Sequence, residues 1–286
     1  MSPFIAPIVL AAALAPEAGS RFVVVQGVRV HYQGAGAGKR ALVLIHGGAC
    51  DTTLWRNQVA LLAAYGRVLV LDLPGHGLSD RPERVYDVAL FLGAVDAVVR
   101  DSGADELIMV GQSLGAMIAY EYARRHQDTA RGLIWVEGTF HVPLDVDAQI
   151  AAMKQRIRDL RGPNYEQAAL AFWEQLFVAS TPAAVRDEIH AKLLATPRHV
   201  LISTMENLAD PSLFRVQRLD IPALAVFGAY WKPGDHEQMF RSYLPRLEMQ
   251  VLADVGHYPM LEKPDAVNAA LSSFLDRHFS GWKRQP

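Results

Sequence analysis

The stretch Leu107-Ile108-Met109-Val110-Gly111-Gln112-Ser113-Leu114-Gly115 constrains this chain more than any other. Its first four residues read as a strand buried on both faces, and Ala116 to Arg125 reads as a helix. Between them lies a Gly-x-Ser-x-Gly turn. A chain that passes from strand to helix over so few residues strains the serine backbone. Glycines two residues to either side let neighbouring backbone approach. The turn carries the Ser113 hydroxyl to the carboxyl edge of a sheet, beside a helix N-terminus that favours negative charge. The pentapeptide recurs by chance, so its weight comes from the strand before it and the helix after it. Ser113 is the candidate nucleophile.

The rest of the chain supplies that sheet. Arg21–Val25 and Val28–Tyr32, joined by Gln26-Gly27, read as an opening hairpin. Apolar runs follow at 41–45, 68–71, 107–110, 133–136 and 223–227, with a last strand at 248–252 and a closing helix over 265–278. Strands alternating with helical periods predict an α/β fold: a mostly parallel, eight-stranded sheet with flanking helices. Between 140 and 217 the strand rhythm stops. Helices are expected over about 145–160, 164–178, 182–195 and 198–208, too long and apolar a stretch for a passive loop. The expected organisation is a core of 21–139 and 218–286, with 140–217 as a helical cap.

Two further turns carry chemistry. Ala41–Ile45 ends in His46-Gly47-Gly48. A tetrahedral intermediate needs two N–H donors aimed at its oxyanion. Leu114, next after the serine, is expected to give one, and Gly48 the other. His46 is expected to orient that loop. Near the C-terminus, Asp254-Val255-Gly256-His257-Tyr258-Pro259 follows the last strand, and His257 is the candidate general base, after the serine in chain order. His126, His190 and His278 lie in helical patterns and read as surface residues. Cys50 and Asp51 read as the start of the next helix, without a chemical role.

These motifs, together with Asp72-Leu73-Pro74-Gly75-His76-Gly77-Leu78-Ser79 and Glu262-Lys263-Pro264, make residues 22–278 resemble the α/β-hydrolase superfamily, in its capped esterase, lactonase and dehalogenase-like branch. The resemblance implies a Ser-His-acid triad. In most relatives the acid stands three or four residues beyond the glycine that ends the penultimate strand. Here Gly228 is followed by Ala229-Tyr230-Trp231-Lys232, with no carboxylate. Asp235 comes later but suits the N-cap of a helix, with Gln238 completing a capping box. Some relatives place the acid directly after the strand that here is 133–136, where Glu137 stands. Glu137 is preferred to Asp235, and its carboxylate is expected within about 3.2 Å of an imidazole nitrogen of His257. Relatives that open epoxides or displace halide use Asp at the elbow, so Ser113 points instead to acyl transfer to water.

Tyr165, Phe172, Trp173 and Phe177 of the cap, with Tyr230 and Trp231 near the triad edge, are candidate substrate contacts for a small apolar or aromatic ester or lactone, Trp173 and Trp231 foremost. The resulting reading is an esterase or lactonase. A C–C bond hydrolase, a serine peptidase or amidase, and a hydrolase-like receptor with little turnover are the alternatives. A net charge of −2 gives no reason to expect nucleic acid or an anionic membrane as partner. One cysteine excludes an internal disulfide and a multi-thiolate zinc site, and the ten histidines lack metal-ligand spacing. No metal or cofactor is expected. The oligomeric state stays open, a homodimer included. Residues 1–20 contain an apolar run from Phe4 to Leu14 but no leading Lys or Arg. An N-terminal arm and a cytoplasmic protein are preferred to an export signal.

Overall fold

The computed structural model describes residues 19–138, 145–228 and 234–283, with backbone alone at 234–236. The expectations for the N-terminal arm, for Tyr230 and Trp231 and for the Asp235 side chain lie outside the described residues. Eight strands form one sheet: β1 (Ser20–Val25), β2 (Val28–Ala35), β3 (Arg40–Ile45), β4 (Arg67–Leu71), β5 (Glu106–Gln112), β6 (Ala130–Val136), β7 (Ala223–Gly228) and β8 (Leu247–Leu252). Their spatial order is β1-β2-β4-β3-β5-β6-β7-β8. β2 runs antiparallel to both neighbours and every other pair with a described register is parallel. Chain direction across the sheet reverses at β3, and a crevice forms there beyond the carboxyl ends of the strands, where α/β sheets bind ligands.

The central strands are apolar on both faces because both are covered. On β3, Ala41, Val43 and Ile45 join one core layer, while Leu42 and Leu44 join the other; β5 divides Leu107 and Met109 from Ile108 and Val110 in the same way. A one-residue slip would exchange the layers, so packing on both sides holds the register. The first layer is closed by α2 (Val88–Ser102) and α3 (Leu114–Arg125), with Phe240 of α8 (Gly234–Tyr243). The second is closed by the short α1 (Val59–Leu62) and by α10 (Pro264–His278), which follows the single turn α9 (Pro259–Glu262).

Between β6 and β7 come α4 (Val146–Arg161), α5 (Tyr165–Glu174), α6 (Ala183–Ala195) and α7 (Arg198–Leu208). They do not form a core of their own. Leu160, Trp173, Ile189 and Leu201 pack into the second layer. The helix expected over 164–178 stops at Glu174, because tertiary contacts claim the next groups. The carbonyl of Leu176 accepts the His257 N–H at 2.9 Å, and Thr181 Oγ1 accepts the Val178 N–H at 3.1 Å. The histidines expected on the surface are instead half-buried. His126 stacks on Tyr122, His190 packs edge-on against Phe177, and His278 bonds Glu248 at 2.6 Å.

Candidate active site

Ser113 is the single residue between β5 and α3 and has φ 51° and ψ −117°, a conformation that costs a non-glycine residue on the order of 1–3 kcal/mol. The surroundings enforce it. The Ser113 N–H donates to the Glu137 carbonyl at 3.0 Å, and the Ser113 carbonyl accepts from Ala116 and Met117 in the first turn of α3. The flanking glycines are required by contact. A Cβ on Gly111 would stand 2.2 Å from the Gly115 carbonyl oxygen, and one on Gly115 would stand 2.2 Å from the Ile45 carbonyl oxygen. The elbow is thus squeezed between its own helix and the end of β3.

Glu137 follows β6 directly and is 1% exposed, with φ 51°. Its backbone N–H donates to the Val226 carbonyl at 2.9 Å. One carboxylate oxygen accepts the Gly228 N–H. The other lies 3.3 Å from His257 Nδ1, a tenth of an ångström beyond the expected reach. Nδ1 therefore carries the proton and donates to the carboxylate, which leaves Nε2 with its lone pair. His257 is 5% exposed and held through its backbone as well: its N–H donates to Leu176, and its carbonyl accepts from Gln112 Nε2 at 3.0 Å. The structure thus brings the Glu137 carboxylate, the preferred acid, to His257; the Asp235 side chain lies outside the described residues.

On the other side of Ser113 lies the His46-Gly47-Gly48 turn. His46 is fully buried. It donates from Nδ1 to the Gly47 carbonyl at 2.7 Å and accepts the Leu73 N–H at Nε2 at 2.9 Å. Burial pushes its pKa down, so it stays neutral in the tautomer that both bonds require. Asp72 supports the same region by accepting from the Thr52 N–H at 2.7 Å, the Leu78 N–H at 2.8 Å and His31 Nδ1 at 2.7 Å. The Asp72–Ser79 motif is therefore a brace between the turn after β3 and the turn after β4.

A cavity of about 320 Å³ opens over these turns. Gly48, Ser113, Leu114 and His257 line it from below, and Trp173 and Met205 are among the residues that line it from the inserted helices. Trp173 is 4% exposed and sits edge-on to Phe172 at 5.0 Å. Phe172 shares the lining, but Phe177 is core, packed 5.7 Å from Tyr258. Sequence reasoning did not anticipate three features. Gln112 spans from the elbow to the histidine loop. Glu262 accepts from both N–H groups beside His257. Lys192 of α6 pairs with Asp51, which also accepts the Thr53 N–H at 2.9 Å as the cap of a short 3₁₀ turn. Burial opposes the charge on Asp51, but the Lys192 ammonium outweighs it and holds the carboxyl below its ordinary range. Gln112 and Glu262 stand inside motifs singled out in the sequence; nothing local signals the Lys192 pair, which spans 141 residues.

Among the described residues no group of three or more His, Cys, Asp or Glu side chains is placed to hold a metal ion, and no helix is long and apolar enough to cross a membrane. What the arrangement can do is withdraw a proton through a carboxylate-backed imidazole, in a partly apolar cavity that also holds a strained serine.

Comparison with known proteins agrees with the fold. The model of the alpha/beta hydrolase family matches residues 42–270. A 2-hydroxy-6-oxononadienedioate/2-hydroxy-6-oxononatrienedioate hydrolase of Paraburkholderia phymatum is 27% identical over 87% of this chain and 91% of its own length. A haloalkane dehalogenase of Sphingobium indicum is 25% identical over 92% of this chain and 97% of its own length. Among solved structures, a thermophilic esterase from Thermogutta terrifontis superposes with a TM-score of 0.77 at 23% identity, over 92% of this chain and all of that one.

Proposed function

The chain belongs to the alpha/beta hydrolase family, and on that premise we propose that it is a serine hydrolase of carboxylic esters, lactones included. The observation that carries this reading is Ser113, held at φ 51° over a cavity shared with a His257 whose Nδ1 faces the buried Glu137 carboxylate. Ser113 Oγ adds to the ester carbonyl carbon while its proton passes to His257 Nε2. The resulting oxyanion is collected by the N–H groups of Leu114 and Gly48. The alcohol leaves with the proton from His257, and a water molecule repeats the sequence on the acyl-enzyme. Glu137 keeps the proton on Nδ1 and stabilises the imidazolium. The helices α4–α7 form the roof, and Trp173 selects what fits beneath it. A cavity of about 320 Å³ suits a small substrate.

Family membership spans several chemistries, and the nucleophile narrows them. A serine alkoxide forms acyl-enzymes readily, whereas the named dehalogenase relative acts on haloalkanes. A second reading, cleavage of a C–C bond next to a carbonyl, is favoured by the Paraburkholderia relative. The test uses p-nitrophenyl acetate and butyrate, a lactone panel and a 2-hydroxy-6-oxodienoate. Ester turnover in the wild type that falls on the order of 10⁶-fold in Ser113→Ala supports the proposal. Turnover by the variant above a hundredth of wild type would sink the serine mechanism. Turnover of the dienoate alone would move the assignment to the second reading, and a few turnovers at most on every substrate would point to a receptor.

A further inference from the structure

The histidine loop is held by a group that the triad does not include. Glu262, at the end of α9, is half-buried. Its Oε2 accepts the Gly256 N–H at 3.0 Å and its Oε1 accepts the Tyr258 N–H at 3.0 Å, so the carboxylate straddles His257. Oε2 also accepts the Thr181 hydroxyl at 2.8 Å, and Thr181 is 5% exposed in the segment between α5 and α6. That segment touches the loop twice more, through Leu176 to the His257 N–H at 2.9 Å and through the Ser180 hydroxyl, which donates to the Asp254 carbonyl at 3.0 Å. The fit is close. A Cβ on Gly256 would stand 2.8 Å from the Leu176 carbonyl oxygen and 3.1 Å from Glu262 Oε1.

We propose that Glu262 is a positioning residue for His257: one carboxylate fixes the two backbone N–H groups beside the histidine and ties them, through Thr181, to the inserted helices. A loop after an edge strand has few backbone partners of its own. Charge-assisted bonds to an ionised acceptor are roughly twice as strong as neutral ones, and here one side chain supplies three. The imidazole must point Nδ1 at Glu137 and offer Nε2 to the Ser113 proton. A displacement of about 1 Å at a reacting group costs on the order of 10²-fold in rate, so loosening this loop acts on turnover rather than on substrate binding.

The kinetic part of the test rests on the serine-hydrolase reading, whereas its backbone part does not. In the full chain, Glu262→Gln keeps one acceptor oxygen but turns an NH₂ group toward backbone donors, and Thr181→Val removes only the tie to the insertion. The measurements are kcat and KM for p-nitrophenyl butyrate, the fraction of Ser113 that reacts with a fluorophosphonate, and amide exchange across residues 254–258. For Glu262→Gln the expectation is a kcat lower by roughly ten- to a hundredfold with KM within about threefold, full Ser113 labelling, and faster exchange confined to this loop. For Thr181→Val it is a smaller change of the same kind. Unchanged exchange in the loop overturns the proposal. So does a kcat within twofold of wild type, or a rate loss matched by the loss of labelled sites. If Glu262→Gln does not fold, Glu262→Asp, which withdraws the same charge by one methylene, replaces it under the same criteria. Should Ser113→Ala retain turnover, the serine reading fails, and the exchange measurement still decides the role of Glu262.

Discussion

Replacing Glu137 by glutamine tests the proposed triad at its least conventional member. The carboxylate has two obligations: one oxygen accepts the Gly228 N–H and the other faces His257 Nδ1 at 3.3 Å. A glutamine has one oxygen to meet both. If that oxygen stays on Gly228, the NH₂ group faces Nδ1, and the imidazole must shift its proton to Nε2 to accept from it. Nε2 then cannot take the proton of Ser113. If the amide turns over, its NH₂ meets the Gly228 N–H donor to donor, and a buried N–H is left unsatisfied at a cost of about 1–3 kcal/mol. The first arrangement is the cheaper one, and it installs the wrong tautomer, a change that lowers kcat by roughly 10⁴ where a triad carboxylate becomes an amide. The backbone of residue 137, which holds Ser113 and pairs with Val226, is untouched, so the fold should survive. The assay is kcat on p-nitrophenyl butyrate, with melting as the control for folding. Asp235→Asn is expected to stay near wild type, since residue 235 lies in the first turn of α8, where losing one charge costs about 0.3–1 kcal/mol of stability and no catalytic group. A folded Glu137→Gln within tenfold of wild type, or an Asp235→Asn with the larger loss, would refute the assignment.

Two further outcomes follow from burial. Trp173→Ala should shift preference toward bulkier acyl or alkyl groups and also cost about 3–5 kcal/mol in denaturant unfolding, because the indole is 4% exposed and part of the second core layer; unchanged preference with the same loss would make it core alone. Burial, aided by the neighbouring His46, pushes the pKa of His76 from 6.5 to about 3, so the unfolded chain takes up this proton first as pH falls. Stability should therefore decline below about pH 6.5 by up to roughly 1.4 kcal/mol per pH unit until the folded group titrates near pH 3. His76→Asn, which can still donate to the Pro74 carbonyl, should melt with a shallower dependence between pH 7 and 5; parallel curves would count against this account.

The parts of the molecule legible in the sequence are those whose cause is local. The strands of the central sheet show as apolar runs because both faces are buried, and their order in the chain follows from the alternation with helices. Gly111 and Gly115 announce the elbow because backbone approaches both within a distance no side chain tolerates. Glu137 could be preferred to Asp235 because it directly follows a strand end, whereas Asp235 reads as the start of a helix; α8 begins one residue earlier, at Gly234, so Asp235 falls inside it and is not its cap. What stayed hidden depends on pairings far apart in sequence. The end of α5 at Glu174 is one case: residues 175–178 have helical composition, and the bonds from the His257 N–H to the Leu176 carbonyl and from the Val178 N–H to Thr181 Oγ1 take them out of the helix.

The same long-range pairings bear on how the inserted helices and the reactive turns relate. α6 carries Lys192 onto Asp51 and Glu188 onto Arg56, whose two terminal guanidinium nitrogens each donate to the carboxylate at 2.8 Å, next to the turn that holds Gly48. The segment before α6 carries Leu176 and Thr181 onto the histidine loop. The insertion therefore grips the site on both sides of Ser113, once through ion pairs and once through the backbone and Glu262. Exposed ion pairs contribute little, about 0–1 kcal/mol each, but Lys192 and Asp51 are both more than four-fifths shielded, and a pair so placed resists displacement by salt better than a surface one. Under the proposed function, a roof fastened in this way would select substrate by the shape of its cavity, and the same fastenings would set where His257 and Gly48 stand. Substitutions that reshape the roof should therefore leave turnover unchanged only where they spare Thr181, Leu176 and Lys192.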